Sequence, residues 1–309
     1  MDAFEALKDE PHVYLVGGAV RDELLGRTPR ELDFVVEGDA IAVARRAAQR
    51  LGAELTVHER FGTATVRTPT DAFDLASART ETYERPGALP TVHLGATIEQ
   101  DLGRRDFTIN AIARSLDGRE VAWPGAHDDL RAGILRVLHE RSFVDDPTRM
   151  LRLVRYAHRL GFAPDERTAA LFDLGLLATV SQERIDREIR LLLAESPHLL
   201  AEYGPLSRVP EITAAVELHG HLDVPDAELW RRLRRARPET IDLLVAAGEA
   251  GARRWRDEVS KRRLQIGGRD LIERGLSGPA VGAGLERATI AMLEGRAPDR
   301  ASQLEAALS

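Results

Sequence analysis

Cysteine is absent from the 309-residue sequence, and its absence excludes disulfide bonds, thiolate zinc sites and thiol catalysis. The sequence also lacks any run of about 18 apolar residues, so we expect no membrane-spanning helix. The N-terminal sequence MDAFEALKDE has none of the apolar stretch that a signal peptide requires. These absences favour a cytoplasmic protein without a membrane partner.

Lysine is scarce as well, because arginine carries almost all of the positive charge, and Lys8 and Lys261 are the only lysines. The net charge of −7 argues against a protein that is coated by nucleic acid. It does not exclude a local basic groove, since the placement of charge matters more than its sum. A chain of this length with 43% hydrophobic residues has room for two or three domains and a large core.

The segment 13–36, VYLVGGAVRDELLGRTPRELDFVV, predicts a strand, a glycine turn, a helix and a second strand. Gly17 and Gly18 mark the turn. We expect the second strand to begin at Glu31. Because side chains alternate along a strand, Glu31 and Asp33 then point to the same face.

This opening segment combines the elements of a phosphate site and a metal site. Backbone N–H groups of a glycine turn at a helix N-terminus bind phosphate. Mg²⁺ is usually held by one or two carboxylates together with substrate phosphates. The combination indicates phosphoryl or nucleotidyl transfer. Taken separately, the glycine pair is also typical of a plain turn, and the acidic pair of a solvated strand end.

A third carboxylate lies in residues 72–78, AFDLASA, which predict an apolar strand carrying one acid, Asp74. An acid in such a strand is costly unless it has a partner. A metal ion held by Glu31 and Asp33 is one such partner, and an edge strand with Asp74 facing water is the alternative. Between these strands the pattern predicts a helix over 39–51 and strands over 53–57 and 63–67.

Two later segments bring further polar residues. Residues 79–92, RTETYERPGALPTV, contain Pro and Gly without a period, and they predict a loop long enough to be a lid or a disordered connection. Residues 97–114 predict two helical pieces around a glycine, with Asp106 as a candidate N-cap. Arg104 and Arg105 sit at this break, where two arginines near a metal–phosphate site can clamp a triphosphate.

Residues 145–162, DDPTRMLRLVRYAHRLGF, predict an amphipathic helix. Arg149 and Arg152 lie on one face beside its apolar stripe. Asp146 and Arg149 carry donors and acceptors that match the Watson–Crick edge of a base, and planar arginine pairs well with such an edge. An arginine run of this kind is also typical of a solvated helix face.

Several motifs together give the chain a resemblance to a known family. They are GGAVRD with LLG and an acidic-x-acidic pair, the loop elements RTETY and PGALP, RRDFTINA, DDPTR, and the stretch 264–286. The sequence resembles the class II tRNA nucleotidyltransferases and bacterial poly(A) polymerases of the DNA polymerase β-like superfamily. One departure is Glu31, where the family has Asp. The extra methylene moves the carboxylate by roughly an ångström, and a displacement of that order can cost about 10²-fold in rate.

The resemblance implies an α+β fold. A nucleotidyltransferase head with a mixed sheet covers residues 1–137. A helical neck that selects the nucleotide covers 138–200, and a short helical body-tail that binds tRNA covers 201–309. The implied reaction is template-independent addition of CCA to the 3′ end of tRNA from CTP and ATP, with release of pyrophosphate.

The resemblance also implies roles for individual residues. Glu31 and Asp33 would bind Mg²⁺ in a two-ion site, and Asp74 would be the third catalytic carboxylate. The implied partners are tRNA, CTP and ATP, without DNA. The residues implied to bind substrate are Gly17, Gly18, Arg21, Arg104, Arg105, Asp106, Asn110, Asp146, Arg149 and Arg152.

Three alternatives stay open at the level of sequence. The first is a partial enzyme that adds only A or only CC, and the intact loop over 79–92 speaks against CC alone. The second is a poly(A) polymerase with the same chemistry and another acceptor. The third is a catalytically weak RNA-binding protein, in which Glu31 is a trace of lost activity. The sequence leaves the oligomeric state open.

Overall fold

The computed structural model describes residues 2–309. The chain divides into two units, the first ending at Glu188 and the second running from Ile189 to Ser309. All strands belong to the first unit, and the second unit is helical. The prediction of an α+β fold with a mixed-sheet head followed by helices is confirmed. The finer division at residues 137 and 200 stays a prediction.

Seven strands of the first unit form one mixed sheet. In chain order they are β1 (Val13–Val16), β2 (Leu32–Val36), β3 (Glu54–His58), β4 (Thr63–Arg67), β5 (Ala72–Ser77), β8 (Ile112–Ser115) and β9 (Glu120–Ala122). Their spatial order is β3-β4-β5-β2-β1-β8-β9, so β2 lies in the centre. Only β2 and β5 run parallel, and every other neighbouring pair is antiparallel.

The two faces of β2 differ in character. Phe34 is buried and makes edge-to-face contacts with Phe4 and Phe73, at ring-centroid distances of 5.6 and 5.9 Å. Such aromatic packing anchors the centre of the sheet. Asp33 points to the opposite face, because neighbouring side chains alternate along a strand. The apolar packing of one face therefore fixes the position of the acid on the other.

The first unit also contains helices, which occur both between and after the strands of the sheet. Asp39 caps α3 as expected, since its side chain accepts a hydrogen bond of 3.0 Å from the backbone N–H of Ala42. The last of these helices, α9, starts in the first unit and ends in the second. They are α1 (Ala3–Leu7), α2 (Gly18–Leu24), α3 (Ala40–Leu51), α4 (Ile98–Leu102), α5 (Ala126–Ala132), α6 (Ser142–Asp145), α7 (Thr148–Leu160), α8 (Glu166–Ala170) and α9 (Gln182–Glu195).

The structure corrects three details of the predicted elements. First, β2 begins at Leu32, so Glu31 lies in the bend before the strand. Second, residues 79–92 are not a continuous loop: β6 (Arg79–Thr82) pairs antiparallel with β7 (Thr91–Leu94), and only 83–90 connect them. The alternating sequence of each arm allows this pairing despite its polar residues.

The third correction concerns residues 97–114. The first helical piece is α4, but the second is only a 3₁₀ turn over Thr108–Asn110, which leads into β8. Asp106 does not cap a helix. Its Oδ1 instead accepts a hydrogen bond of 2.9 Å from the backbone N–H of Phe107. The apolar residues Ile109 and Ile112 are buried as the pattern predicted, although a strand rather than a helix carries Ile112.

The second unit is built from short helices. Leu271, Ala288 and Ala307 are buried together with Ile266 in a cluster near its C-terminal end. No helix within residues 2–309 is both long enough and apolar enough to cross a bilayer. The helices are α10 (Leu200–Tyr203), α11 (Pro210–Leu218), α12 (Asp226–Leu233), α13 (Pro238–Ala246), α14 (Ala250–Asp257), α15 (Gly268–Ile272), α16 (Pro279–Leu293) and α17 (Arg300–Leu308).

Candidate active site

The parallel pairing of β2 with β5 brings two of the predicted carboxylates together. Asp33 and Asp74 are register partners, and Thr65 on β4 donates a hydrogen bond to Asp74 Oδ1. Burial raises the pKa of Asp33, and the charges of Asp74 and Glu31 raise it further, while Arg105 lowers it. The negative charge on Asp33 is thus destabilised by burial and by like charges, and a cation between the acids would relieve this.

Asp33 and Asp74 can provide two ligands for Mg²⁺, but they cannot fill its coordination shell by themselves. Within residues 2–309 no three Asp, Glu or His side chains are close enough together to hold a metal ion by themselves. Mg²⁺ needs only one or two carboxylates when waters and substrate phosphates complete its shell. Asp33 and Asp74 supply such a pair of hard oxygen ligands. The place of Glu31 in the metal shell stays a prediction.

The glycine turn lies against one of the predicted phosphate-binding arginines. Gly17 has a φ of +65°, and a Cβ added there would lie 2.8 Å from Arg105 Nη1. Its N–H donates to the carbonyl oxygen of Ile112 at 3.1 Å, which ties the turn to the start of β8. Gly18 is the first residue of α2. Glycine is required at 17 both by the backbone angle and by the close approach of the guanidinium.

One buried acid orients both arginines of the RRD motif. Asp101 accepts hydrogen bonds of 3.0 Å from Arg104 Nε at Oδ1 and from Arg105 Nη2 at Oδ2. Burial would raise the pKa of Asp101, but the two arginines more than offset this and hold the pKa below its ordinary value. Among the described residues, Arg105 Nε is buried without a hydrogen-bond partner.

The second set of predicted residues meets at the start of α7. Arg149 Nη1 donates to Ser142 Oγ at 2.8 Å, and Nη2 donates to the carbonyl oxygen of Arg104 at 2.7 Å. Arg149 Nε is another buried nitrogen that finds no hydrogen-bond partner within residues 2–309. Arg152 Nη2 lies 3.4 Å from Asp146 Oδ2. Arg149 of α7 is therefore in direct contact with the backbone of the RRD motif.

These two sets line one cavity of about 320 Å³ within the first unit. Six of the substrate-binding residues predicted from the motifs lie in its wall, and one more, Gly17, adjoins Arg105. The lining residues are Arg79, Glu81, Tyr83, Pro90, Arg104, Arg105, Asp106, Asp146, Arg149 and Arg152.

Arg21 and Asn110 occupy a different place from the one that the motifs implied. Arg21 is 1% exposed, and its Nη1 donates to Asn110 Oδ1 at 2.6 Å while its Nε donates to Asp22 Oδ1 at 2.8 Å. Asn110 Nδ2 then donates to Asp106 Oδ1 at 2.9 Å. Both residues belong to a buried network that ends at Asp106, and neither lines the cavity. A role for either residue at the substrate stays a prediction.

Sequence reasoning missed the contribution of the β6–β7 segment to the site. Glu81 accepts hydrogen bonds from Arg104 Nη1 at 3.1 Å and from the hydroxyl of Tyr83 at 3.0 Å. Burial, with the charge of Glu81, raises the pKa of Tyr83 to about 12. The phenol therefore keeps its proton at neutral pH. The R-x-E-x-Y pattern was the available signal: Glu81 lies on β6, and Tyr83 follows the strand at the start of the segment 83–90.

Comparisons with known proteins agree with this geometry. Residues 13–136 match the family described as Poly A polymerase head domain. The A-adding tRNA nucleotidyltransferase of Halalkalibacterium halodurans is 43% identical over 203 residues, covering 62% of this chain and 47% of that protein. The protein of the same description from Aquifex aeolicus is 43% identical over 194 residues, covering 60% of this chain and 23% of the relative.

A multifunctional CCA protein from Nitrosococcus oceani is 38% identical over 218 residues, covering 65% of this chain and 50% of the relative. The fold of the structure described as CCA-adding enzyme apo form II superposes with a TM-score of 0.74 at 26% identity, covering 99% of this chain and 93% of the other. Residues 13–136 are therefore similar to a Poly A polymerase head domain, and nearly the whole chain is similar in fold to a CCA-adding enzyme.

A second similar structure, described as the Thermotoga maritima CCA-adding enzyme complexed with tRNA, superposes with a TM-score of 0.67 at 26% identity, covering 96% of this chain and 90% of the other. The chain spans about half the length, or less, of the curated relatives from H. halodurans and A. aeolicus. Similarity to the solved structures extends over nearly the whole chain, whereas similarity to the curated relatives covers about three fifths of it.

Proposed function

We propose that this protein transfers a nucleotide from a nucleoside triphosphate to the 3′ end of tRNA. The observation that carries the proposal is the cavity in which the RRD arginines face the Asp146–Arg149 pair. Arg105 of this cavity also acts electrostatically on Asp33, which links the cavity to the acidic pair of the sheet. A site that binds a triphosphate at one end and a base at the other suits nucleotidyl transfer.

Arg105 and the Gly17 turn are the proposed triphosphate site. Arg105 lies 16% exposed at its side chain and keeps one hydrogen bond to Asp101, while its Nε has no partner within the described chain. A buried donor left unpaired costs free energy, and a phosphate oxygen would satisfy it. The N-terminus of α2 adds backbone N–H groups that favour an anion. Asp106, which accepts a hydrogen bond from Asn110, would accept another from a ribose hydroxyl.

Asp146 and Arg149 are the proposed base-reading pair. Arg149 Nε is likewise a buried donor on a cavity wall without a partner in residues 2–309. Asp146 supplies acceptors, and the charges around it hold its pKa below the ordinary value, so that it stays ionised. An acceptor beside a planar donor can pair with one face of cytosine or adenine and reject a mismatched base. Arg152 assists by holding Asp146.

The carboxylates of the sheet are the proposed metal ligands. Asp33 and Asp74, with Glu31 nearby, would hold Mg²⁺, which when bound activates the attacking hydroxyl and stabilises the leaving pyrophosphate. The chain's own side chains position the nucleoside triphosphate: the arginines fix its triphosphate, and the base-reading pair fixes its base. Holding the α-phosphate in place for in-line attack by the tRNA hydroxyl accounts for a large part of the rate enhancement in such reactions.

For the added nucleotide, we infer addition of the terminal A to tRNA that already ends in CC. Relatives described as A-adding are 43% identical to this chain, against 38% for the N. oceani multifunctional protein. The β6–β7 segment is also complete, and the resemblance associates such a segment with A addition. The second candidate is full CCA addition, which is favoured by a structural match that covers 99% of the chain.

An extension assay separates these candidates. Three labelled tRNAs ending at the discriminator base, at C and at CC are incubated with Mg²⁺ and with CTP, ATP or both. We expect a single A on the CC-ended tRNA and no extension of the other two. Full CCA on the shortest tRNA would establish the second candidate, and long A tails on unrelated RNA would point to a poly(A) polymerase.

A matched variant shows whether the extension is caused by this protein or by a contaminating host enzyme. Asp33→Asn keeps the size of the side chain but removes the charge that a metal ion needs, so extension should fall by about 10²-fold or more. If no tRNA is extended although tRNA binds, the transferase proposal is wrong and an RNA-binding protein remains. Equal extension by Asp33→Asn and the unchanged protein would assign the activity to a contaminant.

A further inference from the structure

The tip of the segment between β6 and β7 is packed against the helical part of the first unit. Gly87 donates its N–H to the carbonyl oxygen of Val144 at 3.2 Å. Its φ is +69°, and a Cβ added there would lie 2.3 Å from Thr179 Oγ1 and 2.7 Å from the carbonyl oxygen of Thr179. Only glycine can therefore lie at this position while the tip is docked.

A single arginine joins this docked tip to the base-reading acid. Arg184 Nη1 donates to the carbonyl oxygen of Gly87 at 2.8 Å, and Nη2 donates to Asp146 Oδ1 at 2.7 Å. The Arg184 side chain is 23% exposed, so water can screen it only in part. Guanidinium donors have a fixed planar arrangement, so a shift of one acceptor turns the group with respect to the other.

Arg184 donates its hydrogen bond to Asp146 Oδ1, the carboxylate oxygen that already accepts hydrogen bonds from another residue. Oδ1 also accepts from the backbone N–H and the hydroxyl of Thr148, at 3.0 and 2.6 Å. Oδ2 has the longer contact of 3.4 Å with Arg152. Three donors on Oδ1 fix the plane of the carboxylate and leave Oδ2 as the acceptor with capacity to spare. Of the three, only the Arg184 bond comes from a residue that also holds the segment 83–90.

We propose that Arg184 is a positioning residue that links the docking of the segment 83–90 to the orientation of the Asp146 carboxylate. The part of this that concerns nucleotides rests on the proposed function, in which Asp146 contacts the base. Because coupling between two sites is reciprocal, a nucleotide that engages Asp146 strengthens docking of the tip by the same factor by which docking strengthens nucleotide binding.

The absence of cysteine makes the docking measurable. Leu89 is 74% exposed, so Leu89→Cys gives one thiol for a fluorescent label beside the tip. Its fluorescence anisotropy reports docking, and titration with ATP or CTP in Mg²⁺ without tRNA reports binding. We expect Arg184→Ala to lower the anisotropy before any nucleotide is added, to remove the rise caused by nucleotide, and to weaken nucleotide binding about tenfold.

A second variant tests the same coupling by preventing the tip from docking. Gly87→Ala cannot dock against Thr179, and it should weaken nucleotide binding as Arg184→Ala does although it changes no side chain near the cavity. The double variant should be no weaker than the stronger single variant, because both remove one coupling. The matched controls are Arg187→Ala, an exposed arginine on the same helix, and Gly52→Ala, where φ is +60° and no atom lies within 4 Å.

The outcomes separate this inference from the proposed function. Asp146→Ala should loosen the labelled tip in the absence of nucleotide, a result that needs no nucleotide site at all. Additive losses in the double variant, or an Arg184→Ala protein that behaves like Arg187→Ala, would overturn the link even if nucleotides bind. If the tip responds to Asp146→Ala but neither ATP nor CTP binds, the link stands and the proposed function fails.

Discussion

At the scale of the residue, Glu31 is the predicted metal ligand that departs from the Asp of the family motif. It precedes β2 instead of forming part of it, and its side chain is exposed. Asp33 and Asp74 are fixed by strand pairing, whereas Glu31 is free to adjust its longer side chain. The extra methylene therefore need not displace a metal ion, because Glu31 is exposed and lies outside the strand pairing that fixes the other two acids.

We therefore expect Glu31→Asp to change the rate of nucleotide transfer by less than about threefold, far short of the 10²-fold that a fixed displacement of an ångström costs. Single-turnover extension of CC-ended tRNA measures it. Glu54→Asp, the same shortening at an exposed position of β3, is the control. A gain of tenfold or more in Glu31→Asp alone would contradict this prediction and support an enzyme in decay.

Asp146 gives a prediction that depends on pH. Burial would raise the pKa of Asp146, but Arg152, the hydrogen bond from Thr148 and the charges of Arg184 and Arg149 together hold it below the ordinary value. A carboxyl group whose pKa is lowered on folding contributes stability above its unfolded pKa of about 3.9, and this contribution is lost as the pH falls through the folded value.

Asp146→Asn should accordingly lower the thermal midpoint most above about pH 5, by an amount corresponding to about 2–3 kcal/mol of lost charged hydrogen bonds. The deficit should shrink as the pH falls below about 4. Thermal melts of both proteins from pH 3 to pH 8 measure it. Asp145→Asn is the control, since that carboxylate bonds the exposed Arg141 at 3.1 Å. A deficit that stays constant over this range would show that poorer packing, not charge, causes it.

At the scale of the element, the turn between β1 and α2 positions Arg105. We expect Gly17→Ala to slow transfer about 10²-fold, because the new Cβ must displace a guanidinium that lies 2.8 Å away. Single-turnover transfer with saturating ATP measures this. Gly18→Ala is the matched control, since its Cβ would meet Arg21 Nη2 at an ordinary 3.5 Å. Equal losses in both variants would mean that the turn, rather than the contact with Arg105, matters.

Some strands and helices could be predicted from the sequence, and others could not. β1 and α3 follow from apolar periodicity and turn residues, and each lies where the sequence predicts it. The parallel pairing that sets Asp33 opposite Asp74 joins strands that are not consecutive, so no local pattern encodes it. The β6–β7 pairing was missed because its short arms carry many polar residues and are separated by eight irregular ones.

The candidate site was predictable to a similar extent. Residue types in motifs indicated Arg105, Asp146 and Arg149 before the fold was known. Local spacing does not distinguish the residues that line the cavity from those beside it, and a role at the substrate stays a prediction for Arg21. Its burial depends on Asn110, 89 residues away in sequence, and such contacts follow only from the tertiary structure.

At the scale of the whole molecule, an acidic protein with a net charge of −7 would need a local concentration of arginine in order to bind RNA. The second unit carries such residues on α12, on α14 and in the turns that follow them. Arg235 and Arg253 are exposed there, as Arg45 is on α3 of the first unit. We infer that the arginines of the second unit contact tRNA phosphates.

The salt dependence of tRNA binding tests this inference. Removing one arginine that neutralises a phosphate should reduce the slope of log affinity against log salt by about one. We expect this reduction in Arg235→Gln and in Arg253→Gln, and an unchanged slope in the control Arg45→Gln. Filter binding of labelled tRNA at about 50 to 300 mM KCl, within the range where such slopes are steep, measures all three. Slopes equal to that of the unchanged protein in both second-unit variants would assign RNA binding to the first unit, since an arginine that neutralises a phosphate cannot be removed without releasing fewer counterions.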